Sequence, residues 1–229
     1  IDAVFRSSGA ASCENLEHLF TAGVDNNPGD TAMLRKVLTL LSETGCKDSE
    51  LYYKAATSLY NSDPSASSAA QLAEMNLARK KYNEAEKYYT EAIDLETDSK
   101  IKSGLLTKLA TLELTSDSKQ AARDFARAAF SLDPTNGNAL FIIAEAYAGS
   151  RIGETFENQT VYWVVVDYLV RARNTDPTLK EQVDERIGIY SRLFPTKEEA
   201  FFRSLVEEGA SYLVGGWINE STTVRFRKE

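Results

Sequence analysis

The sequence predicts a nearly all-α protein made of stacked helical hairpins, an α-solenoid, that ends in a short β-hairpin. Three observations support this fold class. The 229 residues include 27 alanines but only 12 glycines and five prolines, and Ala favours helices while Gly and Pro disfavour them. The prolines recur at a spacing of about 35 residues, which is typical of helical-hairpin repeats. Alanines recur with the same period on a separate set of positions.

The prolines mark where one apolar, helix-periodic segment ends and the next begins. None lies inside such a segment, as expected for a residue that cannot supply the interior hydrogen bond of a helix. They are Pro28, Pro64, Pro134, Pro177 and Pro195, with spacings of 36, 70, 43 and 18 residues. These spacings correspond to one unit, two units, one unit with an insertion and half a unit.

The alanines provide a second measure of the repeat. Steps of 12 and then 7 residues occur twice, and a step of 7 places two small side chains on one helix face, where a neighbouring helix can approach closely. The positions are Ala73, Ala85 and Ala92, then Ala110, Ala122 and Ala129. In the following unit the first step, from Ala144 to Val165, is 21 residues. The nine additional residues predict a loop between paired helices, within 149–160.

These spacings resemble the tetratricopeptide repeat (TPR) family. The matching residues are Leu72-Ala73, Tyr82, Ala85, Tyr89 and Ala92 in one unit, and Leu109-Ala110, Ala122, Ala129 and Asp133-Pro134 in the next. The resemblance implies a right-handed superhelix. It places a TPR array at 1–177, with a partial first repeat, about four full units and the insertion at 149–160. Capping helices and the β-hairpin would occupy 178–229.

The segment after Pro177 predicts two capping helices and the hairpin. Thr178 with Glu181, and Thr196 with Glu199, have the spacing of capping boxes. They predict helices at Leu179–Leu193 and Lys197–Glu208 that cover the last apolar face of the array. The β-branched and aromatic residues of 211–218 and 221–226 flank a short polar break, a pattern typical of a β-hairpin.

The tail of the chain carries a second resemblance. The stretches 197–202 and 216–225, with Gly209, resemble the end of a group of exported TPR proteins from Gram-negative gut bacteria. The resemblance implies a periplasmic or cell-envelope location. The chain begins at Ile1 rather than Met, and we expect it to be a fragment from which any signal peptide has been removed.

Composition argues against several functional classes. A net charge of −8 disfavours nucleic acid, which is bound chiefly through basic side chains. No apolar run reaches the length of a membrane span. The single histidine, His18, excludes a His-pair zinc site, and no Gly-rich phosphate loop opens a helix. The sequence therefore predicts no catalytic residue, no metal site and no cofactor.

The two cysteines leave two alternatives open. Cys13 and Cys46 are 33 residues apart and fall at equivalent points of neighbouring predicted repeats. Such points lie farther apart than a disulfide tolerates, but the irregular segment 43–48 could close the gap. A disulfide, consistent with export, and a pair of free thiols both remain open.

The TPR resemblance also implies a binding groove. In that family the first helices of the repeats line the concave face, and outward positions on them contact peptides. The corresponding positions here are Ser67, Ala70, Glu74, Thr107, Thr111, Leu114, Phe141 and Glu145. TPR domains that clamp a terminal carboxylate use Lys, Arg and Asn on these helices, so we expect no such clamp in this groove.

Two functional hypotheses follow. The first is a noncatalytic interaction module or scaffold that binds a protein or peptide along its groove or its C-terminal hairpin. The alternative is an envelope ligand-binding or assembly subunit that holds a glycan or peptide through Phe156, Tyr162, Trp163 and Trp217. An exposed aromatic platform would favour the alternative, and buried tryptophans would count against it. The sequence leaves the partner and the oligomeric state open.

Overall fold

A computed structural model describes residues 12–204 and 207–227, which divide into two compact units. The first unit ends at Glu96 and the second begins at Thr97. The described helices of the first unit are α1 (Cys13–Asn26), α2 (Thr31–Glu43), α3 (Glu50–Ser62), α4 (Ala66–Ala78) and α5 (Tyr82–Leu95). The division at 177, predicted from the repeats, stays a prediction.

The second unit contains two long helical hairpins followed by a capping segment. The hairpins are α6 (Ser99–Thr115) with α7 (Lys119–Leu132), and α8 (Gly137–Tyr147) with α9 (Thr155–Thr175). The capping segment contains α10 (Lys180–Tyr190), α11 (Lys197–Phe201), β1 (Ser211–Val214) and β2 (Glu220–Thr223). The fold class is therefore as predicted: helical hairpins with a two-stranded β-hairpin at the end.

Polar side chains start several of these helices. Asp30 accepts a hydrogen bond from the backbone N–H of Met33, and Ser49 accepts one from that of Tyr52. Each bond satisfies a backbone donor that the first turn of a helix leaves unpaired. The prolines lie outside the α-helices, as their spacing predicts.

The repeated alanines lie at helix–helix contacts within each unit. The six alanines of the 12-and-7 pattern are 0% exposed, and they lie on α4 and α5 of the first unit and on α6 and α7 of the second. A small side chain at such a position lets two helix backbones approach closely. The alanine spacing therefore identified the contact faces of both hairpins.

The first unit is closed by a disulfide. Cys13, at the start of α1, is bonded to Cys46, which lies between α2 and α3, and their Cα atoms are 5.5 Å apart. Leu16, Leu34 and Leu51 beside it are almost fully buried. The bond ties α1 to the turn after α2 around this apolar core.

The predicted insertion is partly helical. The structure has an irregular segment at 148–154, and the rest of the predicted loop, 155–160, forms the first turns of α9. Phe156 is buried on this extension and packs edge-on against Trp163, seven residues or about two helical turns further along. The apolar contact explains why the helix begins earlier than the repeat spacing predicts.

One glycine marks a close approach between hairpin ends. Gly137 opens α8, and a Cβ atom there would lie 2.5 Å from the Cβ atom of Asp176 and 2.9 Å from the carbonyl oxygen of Ala172. Both neighbours belong to the C-terminal end of α9 and its cap. A larger residue at 137 would therefore push the start of α8 away from the end of α9.

The capping segment differs from the prediction in two places. The predicted capping box at Thr178 does not form, because Asp176 accepts hydrogen bonds from both the N–H and the hydroxyl of Thr178. A 3₁₀ turn at Pro177–Leu179 precedes α10, and another at Ser191–Leu193 follows it. The box at Thr196 and Glu199 forms as predicted, but the helix it starts ends at Phe201, well before Glu208.

The C-terminal hairpin packs on the second unit. Its strands are antiparallel, with Ser211 opposite Thr223 and Val214 opposite Glu220, and both strands contact α9. The side chains of Val214, Ile218 and Val224 are almost fully buried. Since a two-stranded hairpin is marginal alone in water, this burial is what holds it in place.

Candidate functional site

The predicted groove positions of the second unit lie on α6 and α8, which contact each other. Thr107, Thr111 and Leu114 are spaced at i, i+4 and i+7, so they share one face of α6. Phe141 and Glu145 share a face of α8 in the same way. Thr111 is exposed, whereas Leu114 and Phe141 are half-buried. The structure therefore brings these five residues to the first helices of two adjacent hairpins.

The threonines of this face have satisfied hydroxyl groups. Thr107 donates to the carbonyl of Ser103 over 2.8 Å and accepts from the Nδ2 atom of Asn136 over 2.8 Å. Thr111 donates to the carbonyl of Thr107 over 2.9 Å. With these donors used within the helix, the face offers methyl groups and the Leu114 side chain to a partner.

The α8 end of this face is covered by α10. Glu145 accepts hydrogen bonds from the hydroxyl of Tyr190 over 3.1 and 3.2 Å, and the Nε atom of Arg186 lies 3.5 Å from its Oε1 atom. Burial and the Glu145 carboxylate raise the pKa of Tyr190 to about 12. Glu145 is therefore held by capping residues and does not project freely into the groove.

The remaining predicted positions lie on α4 of the first unit. Ser67 and Glu74 are exposed, and Ala70 is half-buried. Glu74 is engaged by the hydroxyl of Tyr89 on α5, whose pKa is raised by burial and by this hydrogen bond. Within the first unit, the three residues lie close to one another on one helix.

A cluster around Glu220 fixes the C-terminal hairpin to the helices. The Oε1 atom of Glu220 accepts hydrogen bonds from the hydroxyls of Tyr147 and Tyr168 over 3.1 and 2.7 Å, and from Arg127. Burial raises the pKa of both tyrosine hydroxyls, so they remain donors at neutral pH. One carboxylate on β2 thus connects to α7, α8 and α9.

A second cluster fixes the end of the tail. The Nη2 atom of Arg225 donates to Asp167 over 2.7 Å and to the carbonyl of Trp163 over 2.9 Å. The indole N–H of Trp163 donates in return to the carbonyl of Arg225 over 2.7 Å. Together the two clusters make the hairpin an integral cap of the second unit.

The same packing removes most of the proposed aromatic platform. Trp163 is 0% exposed and Phe156 is buried. Trp217 is partly buried between the Tyr147 ring, 5.2 Å away, and the Arg123 guanidinium, 5.0 Å away. Tyr162 is stacked on Tyr190. These aromatic residues serve as core and cap, and they do not form an exposed surface for sugar stacking.

The structure exposes one aromatic pair that the sequence analysis missed. Phe201 and Phe202, at the end of α11, are 64% and 76% exposed and contact each other edge-on. The sequence predicts both residues within a longer helix that covers the array, but the helix ends at Phe201. The sequence feature that could have indicated this exposed pair is two consecutive phenylalanines after an acidic first turn.

No catalytic arrangement is found in the described residues. His18 is exposed on α1, and Cys13, one turn before it, is in the disulfide. No group of three or more His, Cys, Asp or Glu side chains within 12–204 and 207–227 is placed to hold a metal ion. None of the helices described is long and apolar enough to cross a membrane.

Comparison with known proteins supports the fold. No family model matches the chain, and no curated protein matches it. Two solved structures of MamA are similar. The first has 17% sequence identity and a TM-score of 0.56, and the match covers 79% of this chain and 98% of the MamA chain. The second has 16% sequence identity and a TM-score of 0.55, and the match covers 78% of this chain and 89% of the MamA chain. The chain therefore shares the fold of these MamA structures.

The MamA likeness concerns architecture alone. At 17% identity it supports the helical-hairpin fold that the proline and alanine spacings predict. It assigns no residue of this chain to a site, so the predicted groove stays a prediction.

Proposed function

We propose that this protein is a noncatalytic scaffold of the bacterial cell envelope that holds a protein or peptide partner. The observation that carries the proposal is the fold itself, helical hairpins similar to those of MamA. Hairpin arrays of this kind offer large rigid surfaces for partners.

Two surfaces of the second unit suit a partner. The α6 face of Thr107, Thr111 and Leu114 has internally satisfied hydroxyls and fits an extended or apolar segment. The exposed pair Phe201 and Phe202 offers aromatic anchors of the kind enriched at protein interfaces. The C-terminal hairpin is less suitable than the sequence indicates, because its inner face is already used as a cap.

The envelope location is supported by two features. The tail resembles that of exported TPR proteins, and the disulfide between Cys13 and Cys46 is typical of oxidising compartments. Fractionation of cells that express the full-length protein tests this part. We expect the protein in the periplasmic or membrane fraction, and recovery from the cytosol alone would contradict it.

Photo-cross-linking in living cells tests the scaffold. A benzoylphenylalanine residue is placed at Thr111 in one variant and at Phe202 in another. A third variant carries it at Ala128, an exposed position on α7, the second helix of the same hairpin as Thr111. We expect a discrete protein adduct from Thr111 or Phe202 and none from Ala128.

The control decides between a specific and a general contact. Adducts of equal yield from all three positions would indicate random encounters and contradict the proposal. Absence of any adduct from Thr111 and Phe202 would contradict it as well.

A further inference from the structure

The second unit contains a cavity of about 410 Å³ that is lined by three arginines. Arg151 belongs to the irregular segment after α8, Arg192 to the 3₁₀ turn after α10, and Arg227 to the end of the tail. The three residues come from separate parts of the chain, so their convergence results from the way the capping segment folds back on α9.

Backbone contacts hold these segments in place. The Oδ1 atom of Asn158 accepts from the N–H groups of Ile152 and Gly153 over 2.7 and 3.2 Å, which fixes the loop just after Arg151. The N–H of Arg227 donates to the carbonyl of Pro195 over 3.0 Å, three residues after Arg192. The cavity is therefore bounded by a fixed loop and a fixed tail.

The charges at the cavity are only partly balanced within the described residues. The pKa of Glu199 is lowered by hydrogen bonds from Thr196 and also by the charge of Arg227, so one of the three guanidinium groups has a carboxylate in its vicinity. None of the three guanidinium groups has a salt bridge to a carboxylate of 12–204 or 207–227. The nearby carboxylates Glu154 and Glu157 pair instead with Arg203, each over 3.0 Å. In a chain whose net charge is −8, this cluster is a local concentration of positive charge.

Two buried polar atoms of the lining have no hydrogen-bond partner. They are the Oγ atom of Ser150, a residue only 7% exposed, and the Oε1 atom of Gln159. An unpaired buried polar group costs free energy, so a ligand that pairs with these atoms would gain stability. The Gln159 oxygen requires a donor, such as the N–H of a peptide.

We propose that this cavity binds an acidic segment of a peptide, with glutamate or aspartate carboxylates on Arg151, Arg192 and Arg227 and a peptide N–H on Gln159. Guanidinium groups suit carboxylates because their planar N–H pairs match the two oxygens. The proposal rests on the proposed function and specifies the chemistry of the partner.

A peptide fits better than a bare anion or a glycan. Inorganic phosphate at neutral pH is mainly an acceptor and contributes little to an unpaired acceptor such as the Gln159 oxygen. A glycan would need an open aromatic face, and the Tyr162 ring at this cavity is stacked on Tyr190, with ring centres 5.5 Å apart. An acidic peptide supplies both carboxylates and N–H donors.

Calorimetric titration of the purified full-length protein tests the proposal. The probe is an acetylated, amidated peptide in which glutamate alternates with glycine, and the matched control peptide has glutamine in place of glutamate. We expect binding of the glutamate peptide alone, weaker at higher ionic strength. Arg192→Gln should weaken it about tenfold, which is the contribution of one charged hydrogen-bonded pair.

A matched variant separates local contact from general charge. Arg171→Gln removes the same charge from an exposed position on α9 that does not line the cavity, and we expect its affinity to stay within about twofold of the original. Equal losses in both variants, or equal binding of the two peptides, would overturn the proposal. Circular dichroism of both variants checks that each remains folded.

Two further probes cover the other ligand classes. Inorganic phosphate and an oligogalacturonate are titrated in the same way, and we expect both to bind more weakly than the glutamate peptide. Tighter binding of either would overturn the proposal in favour of a small-anion or glycan site. Since Thr111 does not line this cavity, a partner captured from Thr111 without glutamate-peptide binding would overturn the cavity proposal alone.

Discussion

Replacing Glu220 with alanine should release the C-terminal hairpin from the second unit. The carboxylate accepts hydrogen bonds from Tyr147, Tyr168 and Arg127, and its side chain is 23% exposed. A hydrogen bond to a charged group contributes about 1.5–3 kcal/mol, and such contributions are not additive within one cluster. Allowing for partial exposure, we expect Glu220→Ala to lower the free energy of unfolding by about 3 kcal/mol.

A graded pair of variants separates the carboxylate from its surroundings. Glu220→Gln keeps an oxygen acceptor for the tyrosine hydroxyls and loses the charge, so we expect a loss of about 1 kcal/mol. Ser221→Ala changes the exposed neighbour on the same strand and should alter stability by less than about 0.5 kcal/mol.

Urea denaturation followed by tryptophan fluorescence is the appropriate assay. Both tryptophans, Trp163 and Trp217, belong to the second unit, so the signal reports on the unit that carries the hairpin, and linear extrapolation gives the free energy of unfolding. If Glu220→Ala and Ser221→Ala have the same small effect, the hairpin is not held by this cluster and the description of the tail as an integral cap is wrong.

Three further predictions concern the rest of the chain. Gly137→Ala should destabilise the second unit by about 1–3 kcal/mol, because the new methyl group would meet backbone atoms at the end of α9. The control Gly104→Ala, at an open helical position, should stabilise the unit by about 0.5–1 kcal/mol. Equal shifts of the urea midpoint in the two variants would refute the steric argument. Changing Cys13 and Cys46 together to serine should lower the free energy of unfolding of the first unit by roughly 3–4 kcal/mol, because the disulfide closes a loop and restricts the unfolded chain. Chemical denaturation followed by circular dichroism measures this, and an unchanged transition would contradict it. The pKa of Tyr190 is raised to about 12 in the folded protein, above the unfolded value near 10. Its contribution to stability should therefore be complete below pH 10 and lost as the pH rises towards 12. If Tyr190→Phe loses as much stability between pH 10 and 12 as the original protein, Tyr190 is not the cause of the loss.

The repeat could be predicted because it depends on local spacing. Positions such as Ala85 and Ala122 must be small wherever two helices cross, and the structure leaves both 0% exposed. Prolines must lie between helices, so their spacing gives the length of the unit. These constraints are properties of short segments, and a sequence displays them directly.

The ends of the capping helices could not be predicted from short motifs alone. Thr178 has the spacing of a capping box, but both its hydroxyl and its N–H donate to Asp176 instead. The helix that begins correctly after Thr196 stops at Phe201, although its sequence continues with helix-compatible residues. Competition between neighbouring caps and loss of packing decide these ends.

The arginine cavity could not be predicted from the sequence, because no local motif indicates it. Arg151, Arg192 and Arg227 are 41 and 35 residues apart, and their convergence depends on the return of the tail along α9. The groove positions are different: Thr107, Thr111 and Leu114 share a helix face by spacing alone, which the sequence shows.

The most direct test of the scaffold function is the affinity between two purified proteins. The partner identified by cross-linking is purified and titrated with the full-length protein and with a Thr111→Arg variant, which places a long charged side chain on the exposed face of α6. We expect direct binding without any other component, and a loss of at least about tenfold in the variant. Failure of the purified pair to bind, or equal affinity of the variant, would contradict a scaffold that uses this face.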